Sequence, residues 1–127
     1  MIWFNPSVET IKGEYSKMEY KQEGMKFDNG KNRLGLVFKG FAKALEQVGW
    51  VGTFGANKYK PDSWQTVPDA KKRYMDALLR HLFSYLKDDI KDDESGLNHL
   101  SHVAWNALAV LNLEIEESEI KEGNENI

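Results

Sequence analysis

The chain has 127 residues, 41% hydrophobic and 29% charged, with four tryptophans and a formal net charge of −3. That length fits one domain and leaves little room for a second core. The acidic balance argues against a partner that is a nucleic acid polymer, which calls for a basic excess, yet allows a nucleotide pocket built from a few local cations. With no cysteine in the chain, disulfides, zinc–cysteine sites and thiol nucleophiles are excluded. No stretch approaches the roughly 20 apolar residues of a membrane span. The opening MIWFNPSVETIKGEY lacks the basic-then-apolar pattern of a signal peptide, so a cytoplasmic protein with no membrane partner is the expectation.

Residues 1–32 read as an irregular arm, punctuated by Gly13, Gly24 and Gly30, that packs through Trp3, Phe4 and Phe27. A first long helix is predicted over 34–54, where Phe41, Ala44, Val48 and Val51 follow helical spacing. Gly40, Gly49 and Gly52 weaken it, at about 1 kcal/mol each against Ala, but glycines so spaced also permit close helix–helix approach. GANKYKPDSW (55–64) reads as a loop. Pro68 and Asp69 signal a helix start, and a second helix is predicted over 69–87 with an apolar stripe of Met75, Leu79, Leu82 and Leu86. After the acidic connection DDIKDDESG (88–96), in which Ser95-Gly96 resembles a helix entry, a third helix is predicted over 97–113. Its core face is Leu97, Leu100, Ala104, Leu108 and Leu111. The segment 114–127 reads as an acidic polar tail that extends the helix briefly and then frays.

Chemistry-bearing residues concentrate between Arg73 and Asn106. Arg73, Asp76, Arg80 and Ser84 share the polar face of the second helix, with His81 at its border. This is either a solvated Asp76–Arg80 pair beside a core-edge histidine or a cationic wall for phosphate. On the third helix His99, His102 and Asn106 lie roughly opposite the leucine face, among small apolar residues and close to Trp105. A solvated face would carry Lys and Glu, so this one is expected to be buried, in a pocket or at a subunit contact. Buried polar groups need partners: one another, or a ligand. His99-x-x-His102 can also present two ligands to a metal, with Asp76, Glu94 or Glu46 completing the set. Within the acidic run, Glu94 is the member expected to turn inward, the others staying solvated. Lys58 can meet phosphate, and Tyr59 or Trp64 can stack on a base or simply pack the loop. No phosphate-loop or GxSxG pattern occurs.

The segments KNRLGLV (31–37), TFGANKY (53–59), Trp64, RYMDALLRHL (73–82) and DDESGLNHLSHVAWNAL (92–108) follow one another in an order and spacing that resembles the small, mostly phage-encoded dATP/dGTP diphosphohydrolase domain. That family is a relative of the all-α MazG-type nucleoside triphosphate pyrophosphatases. The resemblance covers residues 31–113. It implies an all-α, MazG-like fold, here built on three main helices after the N-terminal arm and followed by the polar tail, giving divisions of 1–32, 33–113 and 114–127. It also implies a homo-oligomer that cleaves a purine deoxynucleoside triphosphate to the monophosphate and pyrophosphate with a divalent cation, Mg²⁺ or Mn²⁺. The matching positions are Lys31, Arg33, Gly55, Lys58, Tyr59, Trp64, Arg73, Tyr74, Arg80, His81, Glu94, His99, His102 and Asn106.

Chemistry then suggests roles. His81, His102 and Glu94 are the catalytic candidates. Lys58, Tyr59, Trp64, Arg73, Arg80, His99 and Asn106 are the substrate-binding candidates. Glu46, Asp76 and Glu94 are the candidate metal ligands. The chain departs from the MazG pattern: neither EExxE nor ExxD occurs, Ser101 stands where relatives often carry a carboxylate, and Leu34-Gly35-Leu36 replaces a more acidic stretch. An enzyme, a non-catalytic nucleotide binder, and an oligomer whose histidine face is only a subunit contact therefore all remain readings of the sequence.

Overall fold

A computed structural model of the chain describes residues 24–125. Trp3, Phe4 and the rest of the arm up to residue 23 lie outside the described residues. The chain divides between Gly40 and Phe41 into two units. In the first, a turn closed by Lys31 N–H donating to Asp28 O leads to a short helix, α1 (Gly35–Gly40).

The second unit holds three longer helices: α2 (Ala42–Lys58), α3 (Ala70–Leu86) and α4 (His99–Glu125). A single 3₁₀ turn at Ser63–Thr66 joins α2 to α3. Three main helices and no strand among the described residues make the fold all-α. The helix expected over 34–54 is broken: Phe41, at φ −110° and ψ 28°, leaves the helical region between α1 and α2. The expected loop at Gly55 is a helical turn instead. The α2 ladder runs through Gly55-Ala56-Asn57-Lys58 and closes with Tyr59 N–H donating to Gly55 O. Pro61 ends it, because the residue before a proline is driven out of the helical region.

Helix α3 starts and ends within one residue of the range its sequence predicts. Asp69 precedes it with a left-handed backbone (φ 53°) and makes no side-chain cap bond. Helix α4 runs antiparallel to α3. His81 near the end of α3 meets His99 at the start of α4, and Lys71 at the start of α3 pairs with Glu117 at 2.5 Å. The acidic segment after Glu114 is therefore helix up to Glu125, not a polar tail that soon frays. Its Glu, Ile and Lys are strong or tolerable helix formers, and Asn112–Glu116 and Glu117–Lys121 contacts line its surface.

The burial pattern departs from the expected one on the leucine side. The leucine faces of α3 and α4 lie outward: Leu79, Leu86, Leu108 and Leu111 are all more than half exposed. The buried face of α4 is the opposite one, with His99, His102 and Asn106 between 5% and 7% exposed beside Ala109 and Val110. The helix pair thus packs on its imidazole side. Helix α2 lies against α4 where Gly52 meets Trp105. A Cβ at Gly52 would sit 3.3 Å from the indole nitrogen, whereas one at Gly49 would meet nothing within 4 Å. Gly52→Leu is therefore expected to destabilise the fold by about 1–3 kcal/mol through overpacking. Gly49→Ala is expected to stabilise it by up to about 1 kcal/mol through helix propensity. Denaturant midpoints of the two variants check the contrast.

Candidate functional site

The connection between α3 and α4 builds one wall of the site. Asp88 takes a left-handed backbone (φ 67°) just after α3. Lys91 and Asn98 then form an antiparallel bridge, with His99 N–H donating to Ile90 O at 2.8 Å. Gly96 makes the turn possible at φ 73°, a conformation that costs glycine little. Ser95-Gly96 is thus a turn within this loop and not the entry to α4. Inside it the Asp92 carboxylate accepts from Ser95 N–H (2.9 Å) and from Ser95 Oγ (2.8 Å), a local arrangement that Asp favours in turns. This fixes Asp92 pointing inward. Glu94 points outward, 60% exposed, and pairs with Lys58. The inward carboxylate is therefore Asp92, because the turn consumes its side chain while Glu94 has no such anchor.

All three histidines of the chain gather there. His81 Nδ1 lies 2.8 Å from His99 Nδ1, and His99 Nε2 lies 3.3 Å from an Asp89 carboxylate oxygen. The His81 and His102 rings stack at 4.3 Å and 9°. His102 Nε2 lies 2.7 Å from Ser95 Oγ and 3.6 Å from Asp92. Where the rings are neutral, these contacts set their tautomers. A carboxylate only accepts, so Ser95 O–H donates to Asp92, and His102 Nε2–H must donate to Ser95 Oγ. Likewise His99 Nε2–H donates to Asp89, which leaves His99 Nδ1 to accept from His81 Nδ1–H. His81 Nε2 and His102 Nδ1 then carry lone pairs. Burial lowers the pKa of both His81 and His102; the stacked neighbour reinforces it at His81, while Asp92 opposes it at His102. Burial works to raise the Asp92 pKa, but the two Ser95 bonds and the nearby imidazoles outweigh it and hold it below the usual carboxylate range.

The HxxH pair does not act as a unit. His99 faces His81 across the helix pair, and His102 turns to the loop. Ligand-capable atoms of His81, Asp92 and His99 all lie within 4.8 Å of one another. The trio expected from sequence, Glu46, Asp76 and Glu94, does not assemble as a ligand group among the described residues. Glu94 is held by Lys58 instead. Glu46 is exposed and does not line the cleft described next.

Beside the histidines opens a cleft of about 1300 Å³. Lys58, Arg73 and Arg80 line it together with Asp76, His81, Asp92, Glu94, His102 and Asn106. Tyr59 and Trp64 form another part of the wall. His99 is not part of that lining and stands behind His81. Asn106 is buried, and its amide donates to His102 O at 2.7 Å. Trp64 sits in a three-ring cluster, edge-on to Trp105 (5.8 Å) and Tyr74 (6.4 Å), and Tyr74 O–H donates to Trp64 O at 2.7 Å. Glu94 raises the Lys58 pKa, so this ammonium stays charged at neutral pH. Arg73 donates to Pro68 O at 3.4 Å. Cations, aromatic faces and neutral imidazoles therefore converge on one cavity. Sequence reasoning missed Asp92, Ser95 and Asp89. The Asp92-x-x-Ser95-Gly96 spacing was the available signal for the first two.

Comparison with known proteins places the chain in a family. The family described as "dATP/dGTP diphosphohydrolase, N-terminal" matches residues 21–123. A dATP/dGTP diphosphohydrolase of Salmonella phage PMBT28 is 38% identical over 81 residues, which is 64% of this chain and 26% of that protein. The chain thus covers about a quarter of the relative's length. No solved structure matches. With more than three quarters of its length matched by one family, the chain belongs to the dATP/dGTP diphosphohydrolase N-terminal family.

Proposed function

We propose that the cleft binds a purine deoxynucleoside triphosphate, dATP or dGTP, and hydrolyses it to the monophosphate and pyrophosphate. The observation that carries the proposal is the convergence of Lys58, Arg73 and Arg80 with the stacked His81 and His102 in one cavity. The name of the phage relative, dATP/dGTP diphosphohydrolase, supports the same substrate class.

The chemistry follows from the residues. Arginine forks suit phosphate oxygens and spread positive charge over them. Arg80 lies one residue from His81 and so can hold phosphate next to the imidazoles; Arg73, two helical turns earlier, suits the far end of the chain of phosphates. Tyr59 and Trp64 offer faces for the base. Water attacks the α-phosphorus, its proton passes to an imidazole lone pair, and pyrophosphate leaves. Burial keeps His81 and His102 neutral near pH 7, the state that accepts that proton. A divalent cation, Mg²⁺ or Mn²⁺, would neutralise charge on the leaving pyrophosphate.

Purified protein with each dNTP and a divalent ion is expected to release monophosphate and pyrophosphate, fastest from a purine substrate. His102→Gln is expected to lower kcat by about 10²–10⁴-fold with little change in KM. Arg80→Gln is expected to raise KM about tenfold or more, the loss of a charge-assisted bond to phosphate. Absence of monophosphate from any dNTP, with calorimetry still showing binding, would favour the second reading, a nucleotide binder. That reading is favoured by the single carboxylate in the ligand group where paired carboxylates were sought.

We further propose that the chain assembles with copies of itself through the outward leucine face. Among the described residues, only Val51, Ala109 and Val110 are buried apolar side chains. The described residues bury little apolar surface for a chain of this size, and a stable fold needs more. Leu108, Leu111 and Ile115 are each at least half exposed and spaced one helical turn apart on α4, a stripe that can pair with its own copy about a two-fold axis. Light scattering is expected to give a dimer or larger species for the wild type and a smaller one for Leu108→Glu/Leu111→Glu. A monomeric wild type would refute the assembly.

A further inference from the structure

We infer that His81, Asp92 and His99 form a binding site for one divalent transition-metal ion of the Zn²⁺, Co²⁺ or Mn²⁺ kind, in preference to Mg²⁺. Three features of the geometry support it. First, two imidazole nitrogens face each other at 2.8 Å and a carboxylate lies within the same 4.8 Å group. Two ligands bound at about 2.1 Å in a tetrahedron are about 3.4 Å apart, so the pair must open by roughly half an ångström, with a turn of the rings, to share an ion. In the metal-free protein the His81 Nδ1 proton occupies the gap. Moving that proton to Nε2 frees both Nδ1 lone pairs without a change in charge.

Second, the ligands are already held. The ring of His99, 5% exposed, is oriented by Asp89 at its far nitrogen. A carboxylate behind a ligating imidazole is the usual way that the ring's direction and basicity are set. Asp92 is fixed by both bonds from Ser95. The three ligands come from α3, the connecting loop and the start of α4, so the fold presents them before an ion arrives.

Third, the donor chemistry discriminates. Two imidazoles and one carboxylate suit a borderline transition ion, while Mg²⁺ asks for oxygen ligands and water in a strict octahedron. Three protein ligands also leave coordination positions open, as in catalytic sites and not structural ones. His81 and Asp92 line the cleft, so the open side faces the space assigned to the nucleotide. The ion's role in catalysis rests on the proposed hydrolysis; its binding does not. With His81 committed to the ion, the lone pair of His102 is the one left to accept the water proton.

The test uses chelator-treated full-length protein titrated with CoCl₂ and, separately, ZnCl₂. One ion per chain is expected by calorimetry, with a visible Co²⁺ absorption band that persists in about 100-fold excess of Mg²⁺. His81→Gln and Asp92→Asn should weaken binding at least about tenfold, while Glu46→Gln, on an exposed position outside the cleft, should leave it unchanged. Circular dichroism identifies a variant that fails to fold. In the unaltered protein, ¹⁵N histidine spectra then supply the answer: Zn²⁺ should shift Nδ1 of His81 and His99 and leave His102 as an Nε2–H ring. No stoichiometric Co²⁺ or Zn²⁺ binding, displacement by Mg²⁺, or affinity lost in Glu46→Gln would each overturn the site. An ion bound as described in a protein that cleaves no dNTP would leave the site standing and overturn the hydrolytic reading instead.

Discussion

The structure depends on burying a polar face. Helices α3 and α4 meet where His81 faces His99 and His102 and where Tyr74 meets Trp105, while Leu79, Leu86, Leu108 and Leu111 lie outward. Each of these imidazoles, and the Asn106 amide, would cost on the order of 1–3 kcal/mol if buried without a partner. The connecting loop and the backbone of α4 remove that cost. Asp89 takes His99, Ser95 takes His102, Asp92 takes Ser95, and a backbone carbonyl takes Asn106. No buried side-chain polar atom among the described residues lacks a partner. The antiparallel pairing of the helices, the shape of the loop and the site are thus one arrangement. A change to Asp92 acts on all three.

That coupling explains why Asp92 outranks its four acidic neighbours in the run. Asp88, Asp89, Asp92, Asp93 and Glu94 look alike in sequence. What distinguishes them is backbone direction, set by the left-handed residues Asp88 and Gly96 and by the Lys91–Asn98 bridge. Asp92 is the one whose side chain closes a turn, and a closed turn cannot swing to solvent. Glu94 is two residues on, has a longer side chain, and finds Lys58 on the rim. The Lys58–Glu94 pair is exposed and adds little to stability. It does bring the end of α2 to the mouth of the cleft and sets Lys58 beside the Tyr59 ring.

Much of this was legible in the sequence. The limits of α3 follow from Pro68-Asp69 and the spacing of Met75, Leu79, Leu82 and Leu86. The absence of Lys and Glu around His99, His102 and Asn106 marked that face as buried, and it is. Glycine spacing in α2 indicated close approach, which occurs at Gly52 and not at Gly49. Less was legible where two physical effects compete. Gly55 reads as a stop, yet backbone bonding carries α2 past it to Lys58. The glutamates after Glu114 read as a solvated tail, yet each residue added to the helix adds a hydrogen bond, and Lys71 supplies a tertiary contact.

The two faces of α4 carry the last step. Periodicity identifies a leucine stripe but not what it faces. In a chain that folded alone, that stripe would be the interior, and the histidine face would be the feature to explain. Here the imidazole face fills the interior and the stripe lies outside. Hydrophobic burial is the main driving force of folding, and a polar seam of bonded imidazoles replaces little of it. The two observations therefore imply a division of labour along one helix. One side of α4 lines the cleft and is held by hydrogen bonds that specify geometry. The other side carries apolar area that stabilises only once covered. Covering it leaves the cleft free, because His102 and Asn106 on the cleft wall lie across the helix from Leu108 and Leu111. The proposed assembly and the proposed substrate binding then need not compete for the same surface.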